Sequence, residues 1–135
     1  MIVVDTNVIT YFYLSSEYAD LAEQLFIKNS FWTAPILWRS EFRNVLSFYV
    51  RKEIITLAEA IQIFETAESL LLDKEYEVNS VQVLKLAQES GCSAYDCEFV
   101  NLAQDLDVPL ITMDKKVLSN FKQTAITIEN YIKNN

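Results

Sequence analysis

Short runs of adjacent apolar residues alternate along this chain with longer stretches in which apolar residues recur at helical spacing. Ile2-Val3-Val4 is continuous and β-branched, which predicts a buried strand over 2–5. Helices are predicted over about 7–14 and 17–29. Phe31-Trp32-Thr33-Ala34 reads as a short strand closed by Pro35, and 37–52 as a helical stretch. Thr56-Leu57-Ala58-Glu59 is a capping box opening a helix to about Leu72. Tyr76-Glu77-Val78 predicts a strand, and Asn79 caps a helix that Gly91 stops from the C′ position. Ser93-Ala94-Tyr95-Asp96 is again like a capping box, with a helix to about Leu106. A strand from Pro109 through Met113 follows, then a short helix capped by Asp114 to about Phe121, a strand over 125–128 and a tail helix over 129–133.

Strands alternating with helices, without a hairpin signal, favour a parallel sheet covered on both faces by helices. The expected fold is therefore α/β, a three-layer α/β/α sandwich with a central, mostly parallel sheet. No linker, repeat or low-complexity segment divides the chain, so 1–135 is expected to be one domain.

Four acids interrupt the pattern. Asp5 ends the first strand and Asp114 follows the strand Leu110-Ile111-Thr112-Met113. Open parallel sheets bind ligands at the carboxyl ends of their strands, where both belong. Either could equally be an N-cap of the helix that follows. Glu41 falls inside the apolar arc set by Leu37, Trp38, Phe42, Val45, Leu46, Phe48 and Tyr49. Its possible partners Arg39 and Arg43 are not at i±3 or i±4, so a ligand role leads. Asp96 falls inside the arc of Tyr95, Phe99, Val100, Leu102, Ala103 and Leu106, and there both a capping-box and a ligand role fit. Glu98 and Asp105, on the same helix, read as solvated. Carboxylates are almost never buried unless they are paired or hold a metal.

Composition narrows the chemistry. The 135 residues contain no histidine, one glycine and two cysteines, and carry a formal net charge of −8. Absence of histidine removes imidazole bases, histidine-containing triads and imidazole zinc sites. A single glycine removes the dinucleotide fingerprint and the phosphate-binding loop. Cys92 and Cys97 match no zinc or redox spacing and are expected to be reduced thiols. The net charge opposes loose polyanion binding, although metal ions can neutralise a phosphate locally. No apolar stretch reaches the length of a membrane span, and the start lacks a basic region followed by an apolar one, so a cytoplasmic location is expected. Four clustered carboxylates cannot all stay ionised without cations. Mg²⁺ and Mn²⁺ prefer oxygen ligands, and a pair of such ions can serve both the attacking and the leaving oxygen of a phosphodiester.

At this point the residues resemble a family. Ile2-Val3-Val4-Asp5-Thr6-Asn7, the mid-chain Glu41, Ser93-Ala94-Tyr95-Asp96 and Leu110-Ile111-Thr112-Met113-Asp114 together are similar to the PIN-domain nucleases. The length and lack of appendages look like the VapC-type toxins of toxin–antitoxin pairs. The resemblance implies a Mg²⁺- or Mn²⁺-dependent endoribonuclease. It implies that Asp5, Glu41, Asp96 and Asp114 form the metal-binding and catalytic set, with Thr112, Thr6 and Asn7 supporting. It further implies an RNA substrate, a cognate antitoxin and a homodimer. Where some members carry another acid, two positions after the last Asp, this chain has Lys116. Arg39, Arg43, Lys115, Lys116 and Lys122 are the cations expected near the RNA path. Tyr11, Phe12, Tyr13 and Leu14, with Phe48 and Tyr49, exceed what one small core easily hides, which also points to self-association. Two rivals stand beside this reading. One is a catalytically silent PIN-like module that binds RNA or protein. The other is aspartyl phosphotransfer at Asp5, against which Asn7 stands where a second Asp would be wanted.

Overall fold

The computed structural model describes residues 1–134; residue 135, the end of the span read as one domain, lies outside the described residues. In chain order the elements are β1 (Ile2–Val4), α1 (Thr6–Tyr13), α2 (Ala19–Lys28), β2 (Trp32–Pro35), α3 (Trp38–Arg51), α4 (Leu57–Leu70), β3 (Glu75–Tyr76), α5 (Ser80–Ser90), α6 (Ala94–Leu106), β4 (Leu110–Ile111), α7 (Lys115–Asn120), β5 (Ala125–Ile126) and α8 (Ile128–Lys133).

The strands lie in the order β3-β2-β1-β4-β5, and every neighbouring pair is parallel. From β1 the chain steps outward to β2 and β3, then crosses back to add β4 and β5 on the far side of β1. Parallel crossovers are right-handed, so reversing the direction of travel moves the connecting helices to the other face. Helices α1–α4 thus cover one face and α5–α7 the other, which is the α/β/α sandwich. Helix α6 lies against β1, β2 and β4, and α8 packs on α2. The order reverses between β1 and β4, and sheets of this kind open a crevice at the carboxyl ends of the strands at that point.

Burial explains the strand sequences. Ile2, Val3 and Val4 are fully buried because helices cover both faces of β1. Trp32, Trp38, Phe42 and Phe99 are the largest fully buried side chains, each contributing about 1.5–3 kcal/mol or more by leaving water. Their polar atoms are matched: the Trp32 indole donates to the Asn29 carbonyl at 2.8 Å and that of Trp38 to Glu75 at 2.7 Å. Among the described residues no buried side-chain nitrogen or oxygen lacks a partner.

Several expected boundaries move. β4 stops at Ile111, although the Thr112 N–H still donates to the Ile126 carbonyl at 3.1 Å while its hydroxyl turns to Asp5. β5 stops at Ile126 because Thr127 caps α8, accepting from the Asn130 N–H at 3.1 Å. Gly91 ends α5 as expected, in the left-handed region at φ 74°, with open space around its missing Cβ. The Thr56 capping box forms in full.

The apolar arcs need two corrections. Phe48 is 46% exposed and Tyr95 63% exposed. Tyr95 sits in the first turn of α6, beside the carboxyl edge of the sheet, where little covers it. The buried face of α6 instead takes in Cys97 and Asn101. The crowded aromatics of α1 find room in one core: Phe12 packs on Phe26 and Trp32 at 4.9 and 5.0 Å, Tyr13 lies 6.2 Å from Phe42, and Leu14 is buried. Those side chains therefore do not require a second copy of the chain. Cys92 and Cys97 are free and buried. No helix among the described residues is long and apolar enough to cross a membrane.

Candidate functional site

Four helix N-termini meet at the carboxyl edge of the sheet, and each brings one acid. Helices α1, α3 and α7 follow β1, β2 and β4 directly, so they start there. Helix α6 runs back toward the start of β4, so it starts there too. Asp5 is the N-cap of α1 and Asp114 that of α7; Glu41 and Asp96 stand in the first turns of α3 and α6. The partial positive charge of a helix N-terminus favours a carboxylate at each place. All four line one open cavity of about 440 Å³, shared with Thr6, Asn7, Thr10, Tyr11, Asn44 and Val45. The structure thus brings together the four acids singled out in the sequence, across a separation of more than a hundred residues.

Strand register sets the centre. Val3 lies level with Leu110 and Val4 with Ile111, so Asp5 comes level with Thr112. The Thr112 hydroxyl donates to Asp5 Oδ2 at 2.7 Å. It also accepts from the Asp114 backbone N–H at 3.1 Å and the Asn7 amide at 3.3 Å. With its acceptor sites taken by two N–H donors, the hydroxyl proton is directed to Asp5. Asp5 Oδ1 accepts from the Thr6 N–H at 2.7 Å, and the Thr6 hydroxyl donates to Glu41 Oε1 at 2.6 Å. Asn7 closes the ring by accepting from the Met113 N–H at 3.4 Å. Asp114 Oδ1 accepts from the Val117 N–H at 2.9 Å, and the Asp96 N–H donates to Ser93 at 3.0 Å. Thr6, Asn7 and Thr112 therefore hold three of the acids in place.

Crowding and burial act on the ionisation of these groups. Asp5, only 8% exposed, is pushed up from 3.8 to about 7, first by burial; the bonds from Thr112 and Thr6 oppose this, and the charges of Glu41 and Asp96 add to it. Glu41 is raised by burial and by Asp96 and Glu98, against the bond from Thr6. Asp96 is raised by burial and by Asp114, while Ser93 and Lys116 pull it down. Glu98 is half-buried and raised by burial. Its charge reaches Glu41, so it is not the freely solvated acid its helical position suggested.

The donor set is all oxygen, which suits a hard divalent cation such as Mg²⁺ or Mn²⁺. Among the described residues no three carboxylates or thiols converge closely enough to cage an ion by themselves. That spacing fits an ion that keeps several waters and is held by one or two carboxylates plus a substrate phosphate.

The basic candidates fare differently. Arg39 turns away from the pocket: its guanidinium holds Glu75 at 2.6 and 2.7 Å and Glu68 at 2.7 Å. Every face of its fork is committed, so it is not the RNA-facing cation the sequence suggested. Arg43 lies over the Phe64 ring at 5.7 Å and lines a groove between α3 and α4 instead of the acidic pocket. Lys116 donates to the Gly91 carbonyl at 2.7 Å, close enough to Asp96 to lower it. Lys115 and Lys122 are exposed. Tyr11 and Asn44 line the pocket and were not anticipated. Helical spacing carried the signal, since Tyr11 follows Asn7 by four residues and Asn44 follows Glu41 by three.

Comparison with known proteins agrees with this picture. A family model described as the PIN domain matches residues 2–126. The crystal structure of PAE2754 from Pyrobaculum aerophilum superposes with a TM-score of 0.77 at 22% identity, over 98% of this chain and 93% of that one. At that identity the likeness is one of fold. No curated protein sequence matches the chain.

Proposed function

The chain belongs to the PIN-domain family, generally a nuclease fold whose members use divalent metals, and from that premise we propose that it is a Mg²⁺- or Mn²⁺-dependent endoribonuclease. The observation that carries this reading is the convergence of Asp5, Glu41, Asp96 and Asp114 on one pocket at the point where strand order reverses. A pocket with four acids and no histidine in the chain has little other chemistry available than holding hard cations.

A bound divalent cation would supply positive charge to the phosphate and lower the pKa of a water beside it. Asp5, Glu41, Asp96 and Asp114 are the residues that would hold it, one or two carboxylates at a time together with a substrate phosphate. Thr112 fixes Asp5 through Oδ2, and Thr6 joins Asp5 to Glu41. Their role is orientation, because carboxylates fixed in advance need no rearrangement when the phosphate arrives. Hydrolysis would join water oxygen to phosphorus and break the bond from phosphorus to O3′. The proton released by the water would pass to the departing O3′ through solvent, so the four acids serve to hold the cation and not to take the proton.

The finer reading is that of a VapC-type toxin held in check by an antitoxin and acting in the cytoplasm as a homodimer. It is supported by an apolar groove of about 430 Å³ between α3 and α4, walled by Leu46, Val50, Leu57, Ile61 and Phe64. Leu57 and Ile61 are exposed there, and a partner helix or a second copy would cover them.

The test is incubation of a total-RNA or transfer-RNA pool with purified protein in Mg²⁺, in Mn²⁺ and in EDTA, beside Asp5→Asn. Fragments that need the metal and vanish in the variant support the reading. Folded protein that cuts no RNA pool with either metal leaves a silent binding module as the better account. Cutting that survives EDTA or Asp5→Asn refutes the site.

A further inference from the structure

Among the described residues, neither lysine nor arginine lines the acidic pocket. Arg39 is committed to Glu75 and Glu68, Arg43 and Arg51 border the groove between α3 and α4, and Lys116 is bound to a carbonyl. Phosphate contacts need such cations, and a chain of net charge −8 repels a polyanion at long range. Beyond the phosphate that a cation would hold, a nucleic acid in this pocket finds no side-chain cation in the lining and must gain affinity elsewhere.

The pocket offers aromatic surface instead. Tyr11 lines it from α1 with its side chain half-buried. The ring of Tyr18, which does not line the pocket, packs against that of Tyr11 with centroids 4.8 Å apart and planes tilted by 47°. Tyr11 is within electrostatic reach of Tyr18, Asp5, Glu17 and Tyr49. Beyond Tyr49, Phe48 stands 46% exposed with ring centroids 6.2 Å apart. Asn44 places an exposed amide on the wall between Glu41 and these rings, one turn beyond Glu41. The acid cluster, which could hold a phosphate only through a cation, is thus lined by aromatic and amide side chains, with the charge of Lys116 reaching Asp96 from outside the lining.

We propose that Tyr11, braced by Tyr18, is the stacking platform for an unpaired nucleobase next to the scissile phosphodiester, with the Asn44 amide meeting the edge of that base. The inference rests on the nuclease reading and adds the residues that meet the unpaired base beside the cut. Bases in a duplex are already stacked on one another, so duplex RNA cannot use the platform. Stacking is tolerant of sequence, since every base has a π-face. Any preference for one base comes from Asn44. Because few phosphates are neutralised by side chains, binding depends only weakly on monovalent salt, with a slope of log affinity against log salt below about 2.

The experiment uses the full chain and a short single-stranded RNA carrying a fluorescent adenine analogue whose emission falls on stacking. Binding is read in the Asp5→Asn background, where the strand stays whole. Cleavage of the same strand is read in the otherwise native protein with Mg²⁺ or Mn²⁺. The emission is expected to fall on binding. Tyr11→Ala and Tyr11→Leu are expected to abolish the fall and weaken binding about ten- to a hundredfold. Tyr11→Phe keeps both. In cleavage the loss appears in KM while kcat stays within a few-fold. A purely structural role for Tyr11 would lower kcat by disturbing Asp5, and Tyr11→Leu, which keeps the bulk, would rescue it. Native protein that cuts the strand with the same KM in all three variants overturns the platform and leaves the nuclease reading standing. Native protein that neither cuts nor binds single-stranded RNA overturns both.

Discussion

Replacing Asp5 with Asn removes the most deeply buried charge of the pocket, and its effect on stability follows from the structure. The carboxyl is held near 7 in place of 3.8, so the folded protein binds this proton more tightly than the unfolded chain does. The acid therefore favours folding fully below its unfolded value, and that contribution is lost as the pH rises through about 7. At about 1.4 kcal/mol per pH unit, the metal-free fold loses, relative to low pH, about 2 kcal/mol by pH 5, where only the unfolded chain is ionised, and about 4 kcal/mol by pH 8, where both states are. Asparagine keeps an acceptor for the Thr6 N–H but turns an amide NH₂ toward the Thr112 hydroxyl. That mismatch costs about 1–2 kcal/mol at any pH. In EDTA, Asp5→Asn is expected to be more stable by about 3 kcal/mol near pH 8 and about equal to the native protein near pH 5. Urea unfolding followed by the fluorescence of the buried Trp32 and Trp38 measures both values. The change between the two pH values isolates ionisation, because the amide mismatch cancels. A stability difference that stays constant from about pH 5 to pH 8 would refute the burial argument. Added Mg²⁺ should then stabilise the native protein and not the variant, because only the native protein would bind it firmly.

Three further outcomes follow from other contacts. Asp96→Asn should lower metal-dependent cleavage at least about a hundredfold with the unfolding midpoint unchanged or raised, checked by RNA cleavage and melting in parallel. Thr112→Val leaves the Asp114 N–H and Asp5 Oδ2 without their partner; a loss of about 1–3 kcal/mol in stability and about ten- to a hundredfold in activity is expected, and a fully active variant would show that Asp5 needs no positioning. Arg39→Ala should destabilise by about 1–2 kcal/mol near neutral pH, after allowance for solvent screening, while cleavage stays native. Glu75 is held below its ordinary 4.5 mainly by its bond from Arg39, so this contribution is present above 4.5 and fades as the pH falls through the lowered value; acid unfolding curves of the two proteins should converge there.

Much of this molecule is legible in its sequence because local and global signals agree. The continuous run Ile2-Val3-Val4 reads as a strand covered on both faces, and Thr56, Asn79, Ser93 and Gly91 mark helix ends by chemistry that the structure repeats. What could not be read depends on neighbours distant in sequence. Arg39 is a candidate for any anion until the parallel pairing of Ala34 with Glu75 carries that carboxylate to it. Phe48 and Tyr49 are adjacent on α3, yet one is exposed and the other packs against the core, because the helix-on-helix contact covers only part of the arc. Glu98 lies on the helix flank away from Asp96, and only the placement of α3 brings its field to Glu41. Tyr11 was read as excess apolar surface, although it borders the acids.

Cap and ligand, the two roles open for Asp5 and Asp114 in the sequence alone, do not exclude one another; Asp96 lends only its N–H to the cap at Ser93, and its carboxylate makes no cap bond. A carboxylate has two oxygens and about four lone pairs, and a cap bond uses one of them. Asp114 Oδ1 accepts from the Val117 N–H, and Asp5 accepts one bond at each oxygen, from the Thr6 N–H and the Thr112 hydroxyl. These bonds fix the direction of each carboxyl group while leaving lone pairs toward the cavity. The same positions are where four helix N-termini supply partial positive charge, which offsets part of the repulsion that drives Asp5, Glu41 and Asp96 upward. A pocket of this kind is costly to form without a cation and correspondingly favourable to fill with one. Asp5 and Asp114 act as helix caps in the folding of the chain, and the lone pairs the caps leave over are those the proposed cation site would use, so the sequence motif looks the same for both.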